Sequence, residues 1–514
     1  MSPASSAPSF RALALTFGSV FLLALIPRLW GIGMKPVWLD ETFTLHRAGL
    51  PLAGLIHDSF INHHLPTYFL LIHELMAFSP NIGLLRAPSA IFGALAVALT
   101  WLAARNIAGR MAGIAAALIL GLAPSAIAFS QEARSYTMVM AMILIALNGL
   151  ILLASAPRRA AGAAPGQRAA WLAFVLGTIA AMDVLADGAP WWIIANVAFV
   201  PMILSVPGQR AALAWRWLAA NLIIVVCTLP LYVTMDHAVH GHFIHSFGWV
   251  PALDAQRIWS AIAGTFLLRI ADSVSFRLMH VGLPEALFGF TAIALPFLAL
   301  LGAVRLRGQR ALQILLLLGC LALPIALLLI SISKPVLVPR YMLWSDAPFA
   351  ILAGIGAAYA ASSFGPRGRR ALGVAASLLL IVNLLPYYSA QTKPRWDLAA
   401  KFLDTHVRQN DFIYLTDRGA IPILEQYLPQ GAQGRVLAHV TGNLDHAEAA
   451  EAAGQRVWVV SGRAGQGLAK SWQEFASQLV PLGTPSSFNM AGNRIRILLY
   501  DPADVVGPTA SNGN

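Results

Sequence analysis

Residues 65–79, LPTYFLLIHELMAFS, decide how the rest of the chain is read. The run is apolar enough to suggest a membrane crossing. It is shorter than the roughly 20 residues a spanning helix needs, and it carries His73 and Glu74. Arginine distribution settles the matter. If 65–79 lies in the membrane interface, the short loops alternate in charge. One side then receives Arg11, Arg105 and Arg110, Arg158, Arg159 and Arg168, Arg210 and Arg216. The same side takes Arg305, Arg307 and Arg310, then Arg367, Arg369 and Arg370, with no Asp or Glu in those turns. A crossing at 65–79 would move most of these arginines to the opposite side. The basic side is therefore expected to be cytoplasmic, and 65–79 an interfacial helix.

Outward from that segment, apolar runs at 11–30, 85–104, 111–129, 135–155, 170–187, 189–206, 216–234, 280–304, 311–331, 340–361 and 371–388 read as about eleven spans by length. Composition agrees: of 514 residues, 58% are hydrophobic and 11% charged, with a mean hydropathy of +0.67. Water-soluble chains carry about a quarter charged residues. The net charge of +12 is spread over short clusters between apolar runs, a topology signal and not a nucleic-acid surface. Cys227 and Cys320 each lie inside an apolar run, which excludes a disulfide framework. The first run reaches Trp30 with no small-residue cleavage site, so a retained anchor is expected with the N-terminus in the cytoplasm.

From residue 390 the long apolar runs stop. Helix-like stretches (Trp396–Val407, Ile421–Leu428, Leu468–Leu479) alternate with strand-like ones (Phe412–Thr416, Arg456–Ser461, Arg494–Tyr500). The expected fold class is a polytopic α-helical membrane protein with a small C-terminal α/β domain on the outer side. Residues 1–389 form the transmembrane domain with outer interfacial helices, 390–501 the α/β domain, and 502–514 a disordered tail.

Chemistry-bearing residues concentrate on the expected outer face. Asp40 and Glu41 sit about ten residues past the first span, flanked by Trp38, Leu39 and Phe43. Paired carboxylates beside apolar neighbours raise one another's pKa or bind a cation. Four segments recur along the membrane half: WLDETF (38–43), NHHLPTYFLLIHEL (62–75), FSQEARSYTMVM (129–140) and VPRYMLWSDAPFAILA (338–353). In this order they resemble the protein O-mannosyltransferases and the bacterial aminoarabinose transferase, members of the GT-C superfamily of polyprenyl-phosphate-sugar-dependent glycosyltransferases. One departure stands in the second segment, where Leu65 replaces the first proline of a His-Pro-Pro-x-Tyr pattern.

The resemblance implies inverting sugar transfer from a polyprenyl-phosphate donor to an acceptor hydroxyl on a protein, lipid or glycan, at the outer face of a bacterial inner membrane. Asp40 is then the general base or a metal ligand and Glu41 its support, with Glu132 the second acid. A divalent cation, magnesium or manganese, would take Asp40 and Glu132 as ligands. Arg134 and Arg340 are placed to hold the lipid phosphate, since a guanidinium stays charged and pairs phosphate oxygens bidentately. Lys334 assists. His64 and Tyr68, four residues apart on one helical face, line the acceptor side. A lipid-linked sugar flippase is the main rival, but it would carry midplane ionisable residues and inverted repeats. A membrane scaffold acting through the outer α/β domain is the other.

Three further signals are set aside. His237, His240, His242 and His245 lack a convergent ligand set. Gly462, Gly465 and Gly467 fit no nucleotide-loop spacing. Asp183, inside an apolar run, sits near its outer end. The sequence following the histidines, GWVPALDAQRIWSAIAGTFL, reads as a second amphipathic interfacial helix.

Overall fold

The computed structural model describes residues 9–155, 164–239, 250, 252–270, 283–416, 420–461, 486–489 and 495–501. The chain divides into two compact units, one of Met1–Ile32 with Arg47–Ala390, the other of Gly33–His46 with Gln391–Asn514.

The first unit is helical. It begins with α1 (Phe10–Leu29); α2 (Leu39–Ala48) enters it at Arg47; and α3 (Leu52–Ile61), α4 (Thr67–Phe78), α5 (Ile82–Ala108), α6 (Arg110–Gly121) and α7 (Pro124–Ser130) follow. Next come α8 (Tyr136–Ser155), α9 (Ala164–Val184), α10 (Gly188–Leu204), α11 (Arg210–Ala238) and α12 (Ala255–Phe266). The last are α13 (Glu285–Arg305), α14 (Arg310–Ser331), a 3-10 segment Pro339–Ser345, α15 (Asp346–Ser362) and α16 (Pro366–Ser389).

Among the described residues, each of the eleven apolar runs falls largely on helix, with 340–345 in a 3-10 segment. By length and composition, six described stretches can cross a membrane, or seven if α6 and α7, bent by 63°, form one crossing. That count takes Glu285–Ser331 as a single stretch, although a 3-10 turn divides it into α13 and α14. The 17 residues of α10 and of α15 extend only about 26 Å, less than a hydrocarbon core of about 30 Å. Segment 65–79 contains the 12-residue α4, which is too short to cross. The segment read as a second amphipathic helix contains α12, whose first turn is capped by Asp254, its carboxylate accepting from the Arg257 amide at 2.8 Å.

Helices at the perimeter expose apolar side chains, as in Leu22, Leu23 and Ile26 of α1 and Phe290 and Ile293 of α13, the pattern of a surface facing lipid. Most of α5 and α8 is buried, consistent with helices apolar on every side. Lipid tails compete with apolar helix contacts, so close packing of small residues carries association. Where α13 crosses α15, a Cβ on Gly302 would collide with the Leu352 carbonyl, and one on Gly356 with the Leu298 carbonyl.

The α6–α7 break frees backbone carbonyls at membrane depth, where each needs a donor. Arg28, fully buried in the last turn of α1, supplies one. Its Nη1 donates to Gly121 O (3.2 Å) and Ala24 O (2.9 Å), and its Nε to Ser130 Oγ (3.2 Å). A side chain on Gly93 of α5 would displace both Ser130 and Arg28. Gln131 does the reciprocal work: its Nε2 donates to the carbonyls of Arg28 (3.1 Å) and Trp30 (2.7 Å), which end α1. Tyr387 of α16 donates to Gln131 Oε1 (3.1 Å), and Tyr388 to Pro27 O (2.6 Å). Four helices are thus tied at one end of the bundle.

The second unit holds α17 (Trp396–His406), β1 (Phe412–Leu415), α18 (Ile421–Tyr427), α19 (Gln430–Val436), β2 (Val440–Thr441), α20 (Leu444–Ala452), β3 (Val457–Ser461), β4 (Ser486–Asn489) and β5 (Arg496–Tyr500). The sheet order is β2-β1-β3-β5-β4, parallel over the first three strands and antiparallel over the rest. Strand alternation divides the side chains between two faces. Ile413, Leu415, Trp458 and Val460 pack with Leu403 of α17 and Leu424 of α18, while Val457, Val459 and Leu498 pack with Ala447 of α20. The segment 33–46 joins this unit and not the helical one, because the Tyr427 hydroxyl receives the Val37 amide at 2.5 Å and Lys393 pairs with Glu41 at 2.9 Å. The expected helix Leu468–Leu479, the glycines 462, 465 and 467, His240, His242 and His245, and the tail 502–514 lie outside the described residues.

Replacing Gly356 by Val should force α13 from α15. Overpacking of this kind costs about 1–3 kcal/mol, and thermal unfolding in detergent should show a lowered midpoint, whereas Gly373→Ala, with open space around it, should not.

Candidate functional site

The turn between α3 and α4 places His64. Helix α3 ends in a Schellman motif: the His63 amide donates to Phe60 O (3.1 Å) and the His64 amide to Ser59 O (2.8 Å). His63 takes the left-handed conformation this requires, at φ 60°, a position more often filled by glycine. The chain then enters Leu65-Pro66 and α4, and the His64 ring meets Phe69 edge to face, with centroids 5.7 Å apart. The other face of this neighbourhood is Arg47, from the last turn of α2. It pairs with Asp58 at 2.6 Å and lies 4.5 Å from the centre of the Phe69 ring.

Tyr68 is buried and ties α4 to α5. Its hydroxyl lies 2.8 Å from Ser89 Oγ. Ser89 in turn donates to the Arg134 carbonyl at 2.8 Å, so the Tyr68 hydroxyl is the donor in the first bond. Thr137 donates to Ser89 O at 2.8 Å. Three elements, α4, α5 and the turn before α8, are fastened around Arg134. That side chain is buried, with Nη2 3.2 Å from the Tyr136 hydroxyl and its guanidinium 5.4 Å from the Tyr136 ring centre. Glu132, also buried, shares the tight turn, its carbonyl accepting the Arg134 amide at 2.8 Å.

Arg340 arrives from the 3-10 segment, buried, 5.5 Å from the centre of the Tyr341 ring. Arg134, Arg47 and Arg340 all act on His64. Burial first, then the positive charges of Arg134, Arg47, His63 and Arg340, push its pKa well below the ordinary 6.5. His64 is therefore a neutral imidazole among guanidiniums, able to donate or accept a hydrogen bond without adding charge. Asp187, in the α9–α10 turn, feels Arg340 and Arg134 too. Burial raises its pKa to about 7 against the opposing pull of those two arginines.

So three of the four sequence segments meet at the end of the bundle where α1 and α16 terminate. His64, Tyr68, Glu132, Arg134 and Arg340 are all in the first unit. Lys334 is exposed just past the end of α14. Arg47 and Asp187 were not among the expected residues. A sequence signal existed for Arg47: it is an arginine on the side that the charge bias otherwise leaves poor in arginine. Asp187 stood only as the last residue of the apolar run 170–187.

The first segment lies in the second unit. Asp40 and Glu41 open α2, and their environments differ. Glu41 is fully buried and paired with the buried Lys393; Asp40 is half-buried. Among the described residues no group of three or more His, Cys, Asp or Glu side chains is arranged to hold a metal ion.

The helices of the first unit are long and apolar enough for a membrane protein, with buried arginines gathered at one end; the second unit is a small mixed α/β fold. Solved structures share this architecture over nearly the whole chain. ArnT from Cupriavidus metallidurans in the apo state superposes with a TM-score of 0.56 at 14% identity, covering 96% of this chain and 100% of that one. The same protein bound to undecaprenyl phosphate gives 0.55 at 13% identity, covering 98% and 100%. The archaeal oligosaccharyltransferase AglB from Archaeoglobus fulgidus, in complex with an inhibitory peptide and a dolichol-phosphate, gives 0.53 at 13% identity, covering 95% and 74%. A further structure of the Archaeoglobus fulgidus oligosaccharyltransferase, complexed with zinc and sulfate, gives 0.51 at 14% identity, covering 94% and 73%. No protein-family profile matches the sequence, and no curated protein matches it.

Removing one member of a buried ion pair strands the other charge, at about 3–5 kcal/mol. Lys393→Met should accordingly lower the unfolding midpoint sharply, and adding Glu41→Met in the same chain should restore most of it. A single variant as stable as wild type would show that the pair does not hold α2.

Proposed function

We propose that the protein is a membrane glycosyltransferase that moves a sugar from a polyprenyl-phosphate donor to an acceptor hydroxyl, with inversion. The reaction takes place at the outer face of a bacterial inner membrane, with the α/β unit on that side. The observation that carries this reading is the convergence of Arg47, Arg134 and Arg340, from three separate segments, on the neutral His64. Buried guanidiniums at the edge of a bilayer suit the phosphate of a lipid carrier, whose charge grows as the sugar departs. Structural neighbours with the same fold hold undecaprenyl phosphate and dolichol-phosphate, which supports a donor of that class.

In the proposed step the acceptor oxygen attacks the anomeric carbon as its proton passes to Asp40. The bond from that carbon to the phosphate oxygen breaks, and the electron pair leaves on the phosphate, held by Arg134 and Arg340. Lys334 adds positive charge to the donor's approach. Asp40 takes the base role because Glu41 is committed to Lys393, which makes Glu41 a positioning residue. His64, held by the Tyr68 framework, serves the acceptor side. A magnesium or manganese ion with Asp40 and Glu132 among its ligands would neutralise phosphate charge when bound.

General-base removal costs about 10²–10⁴ in rate. Asp40→Asn should show a loss of that size in kcat with lipid-donor binding retained, assayed on the purified protein and by mass spectrometry of envelope glycolipids and glycoproteins. Unchanged glycan products in cells would sink the mechanism and favour a flippase or scaffold. Chelation with EDTA should abolish turnover and added magnesium or manganese restore it; full activity after chelation would remove the metal from the scheme.

A further inference from the structure

Helices α10 and α11, joined by the short turn 205–209, flank a groove of about 570 Å³. Four polar side chains lie along it, and all are engaged with one another or with backbone. Trp192 Nε1 donates to Asn221 Oδ1 (2.7 Å) and Trp217 Nε1 to Asn196 Oδ1 (2.8 Å). Asn196 Nδ2 donates to Asn221 Oδ1 (3.1 Å) and to the Trp192 carbonyl (2.9 Å), and Asn221 Nδ2 to the Trp217 carbonyl (3.0 Å). Helices in lipid need such pairing, because hydrocarbon offers no partner. The rest of the lining is Ile193, Val197, Ile203, Ala214 and Leu218. A ligand here therefore meets hydrocarbon and indole, with the amides already engaged. Trp217 does not swing in to fill the space, since its ring is stacked on Phe199 of α10 (centroids 3.7 Å apart) and Phe174 of α9 (4.8 Å).

The groove has the length of one leaflet. From Ile193 to Ile203 the rise along α10 is about 15 Å, half of a hydrocarbon core of about 30 Å. It opens to the perimeter of the bundle, where Ile193, Val197 and Leu218 are each more than half exposed. At the Ile203 end the wall turns basic. Arg210, Ala214, Trp217, Leu218 and Asn221 fall on one stripe of α11 by helical spacing. Arg210 is exposed and heads that stripe, its Nη2 donating at 3.0 Å to the carbonyl of Leu204, the residue after Ile203. Arg216, also exposed, lies further along α11 with Nη1 3.5 Å from Gln167 Oε1. No Asp or Glu occurs from Gly188 to Met235. Helix α8 starts at the turn carrying Arg134, and α8, α9 and α10 then run back and forth, so the Leu204 end lies opposite to Arg134.

We propose that this groove binds an anionic glycerophospholipid, with one acyl chain between α10 and α11 and the phosphodiester at Arg210. Length and charge select this occupant together. An acyl chain fills half the membrane thickness, whereas a spanning helix of a second copy would need a groove about twice as long. Basic residues at a membrane edge attract anionic lipid, and a zwitterionic headgroup would bring a further cation to a mouth that already carries Arg210 and Arg216. The phosphate of a polyprenyl donor belongs at the other end of the bundle, with Arg134. The bound lipid braces the α10–α11 pair, so occupancy stabilises the folded chain.

The test uses the full chain, stripped of lipid in detergent and titrated with dioleoyl phosphatidylglycerol or dioleoyl phosphatidylcholine, bound lipid being counted by native mass spectrometry. Phosphatidylglycerol should occupy one site about fivefold more tightly than phosphatidylcholine, the factor that one arginine is worth at an anionic surface, and should raise the unfolding midpoint. Arg210→Gln should erase that preference, while Arg307→Gln, which removes an exposed arginine outside the groove, should leave it intact. Val197→Trp, filling the groove from an exposed position, should abolish saturable binding of both lipids, and Leu218→Trp serves if that variant does not fold. Equal binding of the two lipids by wild type, or a preference that survives Arg210→Gln, overturns the assignment. Undecaprenyl phosphate that displaces phosphatidylglycerol from wild type, and is itself lost in Val197→Trp, makes the groove a carrier site and overturns it too. So does a wild-type dimer that Val197→Trp renders monomeric with lipid binding unchanged.

Discussion

The helical unit depends on one fully buried guanidinium. Helix α1 is apolar and largely exposed, so in lipid little hydrophobic force would hold it to its neighbours. Arg28 holds it instead, by donating to Gly121 O and Ser130 Oγ across the α6–α7 break. The same bonds make the break tolerable, since the freed Gly121 carbonyl would otherwise lack a donor in a dry environment. Gln131, one residue past α7, bonds to the carbonyls that end α1. Arg134 follows three residues later. Whatever fixes Gln131 therefore fixes the site turn, and the arginine that anchors the fold indirectly positions Arg134, the proposed phosphate ligand.

Charge in this pocket is distributed unevenly among its arginines. Arg47 is engaged by Asp58 at 2.6 Å and by the Phe69 ring. It adds to the positive field while its hydrogen-bonding fork is partly taken. Arg134 and Arg340 act on Asp187 and on His64. His64 responds by remaining neutral, because a fourth positive charge beside three guanidiniums would cost more than burial alone. A neutral imidazole keeps the pocket's excess charge available to an anion, and offers a hydrogen bond that does not depend on pH near neutrality.

Much of this was legible in the sequence because it rests on periodicity and charge. Apolar length marked the long helices of the first unit, and arginine bias grouped the loops so that His64, Glu132, Arg134 and Arg340 fell on one expected side. The strands Phe412–Thr416 and Arg456–Ser461 stood out by β-branched and aromatic content. What could not be read was pairing across long separations. Glu41 and Lys393 are 352 residues apart, and no local pattern announces their ion pair or the transfer of segment 33–46 to the α/β unit. Asp187 was obscure for a different reason. An aspartate before a helix looks like a cap, and only the three-dimensional structure shows that its carboxylate makes no capping bond. Crossing counts were equally limited, because length alone cannot say whether a 17-residue helix spans, tilts or stops short.

Asp40 and Glu41 show how adjacent, like-charged residues come to hold different roles. On a helix, neighbours in sequence point about 100° apart, so they do not share a face. Opening α2, Glu41 turns into the second unit and is fully buried against Lys393, while Asp40 stays half-buried. Two ionised carboxylates so close would repel and raise one another's pKa. Pairing Glu41 with an ammonium group offsets that repulsion. Losing Lys393 would leave a buried carboxylate without its counter-charge, beside Asp40 on the same helix.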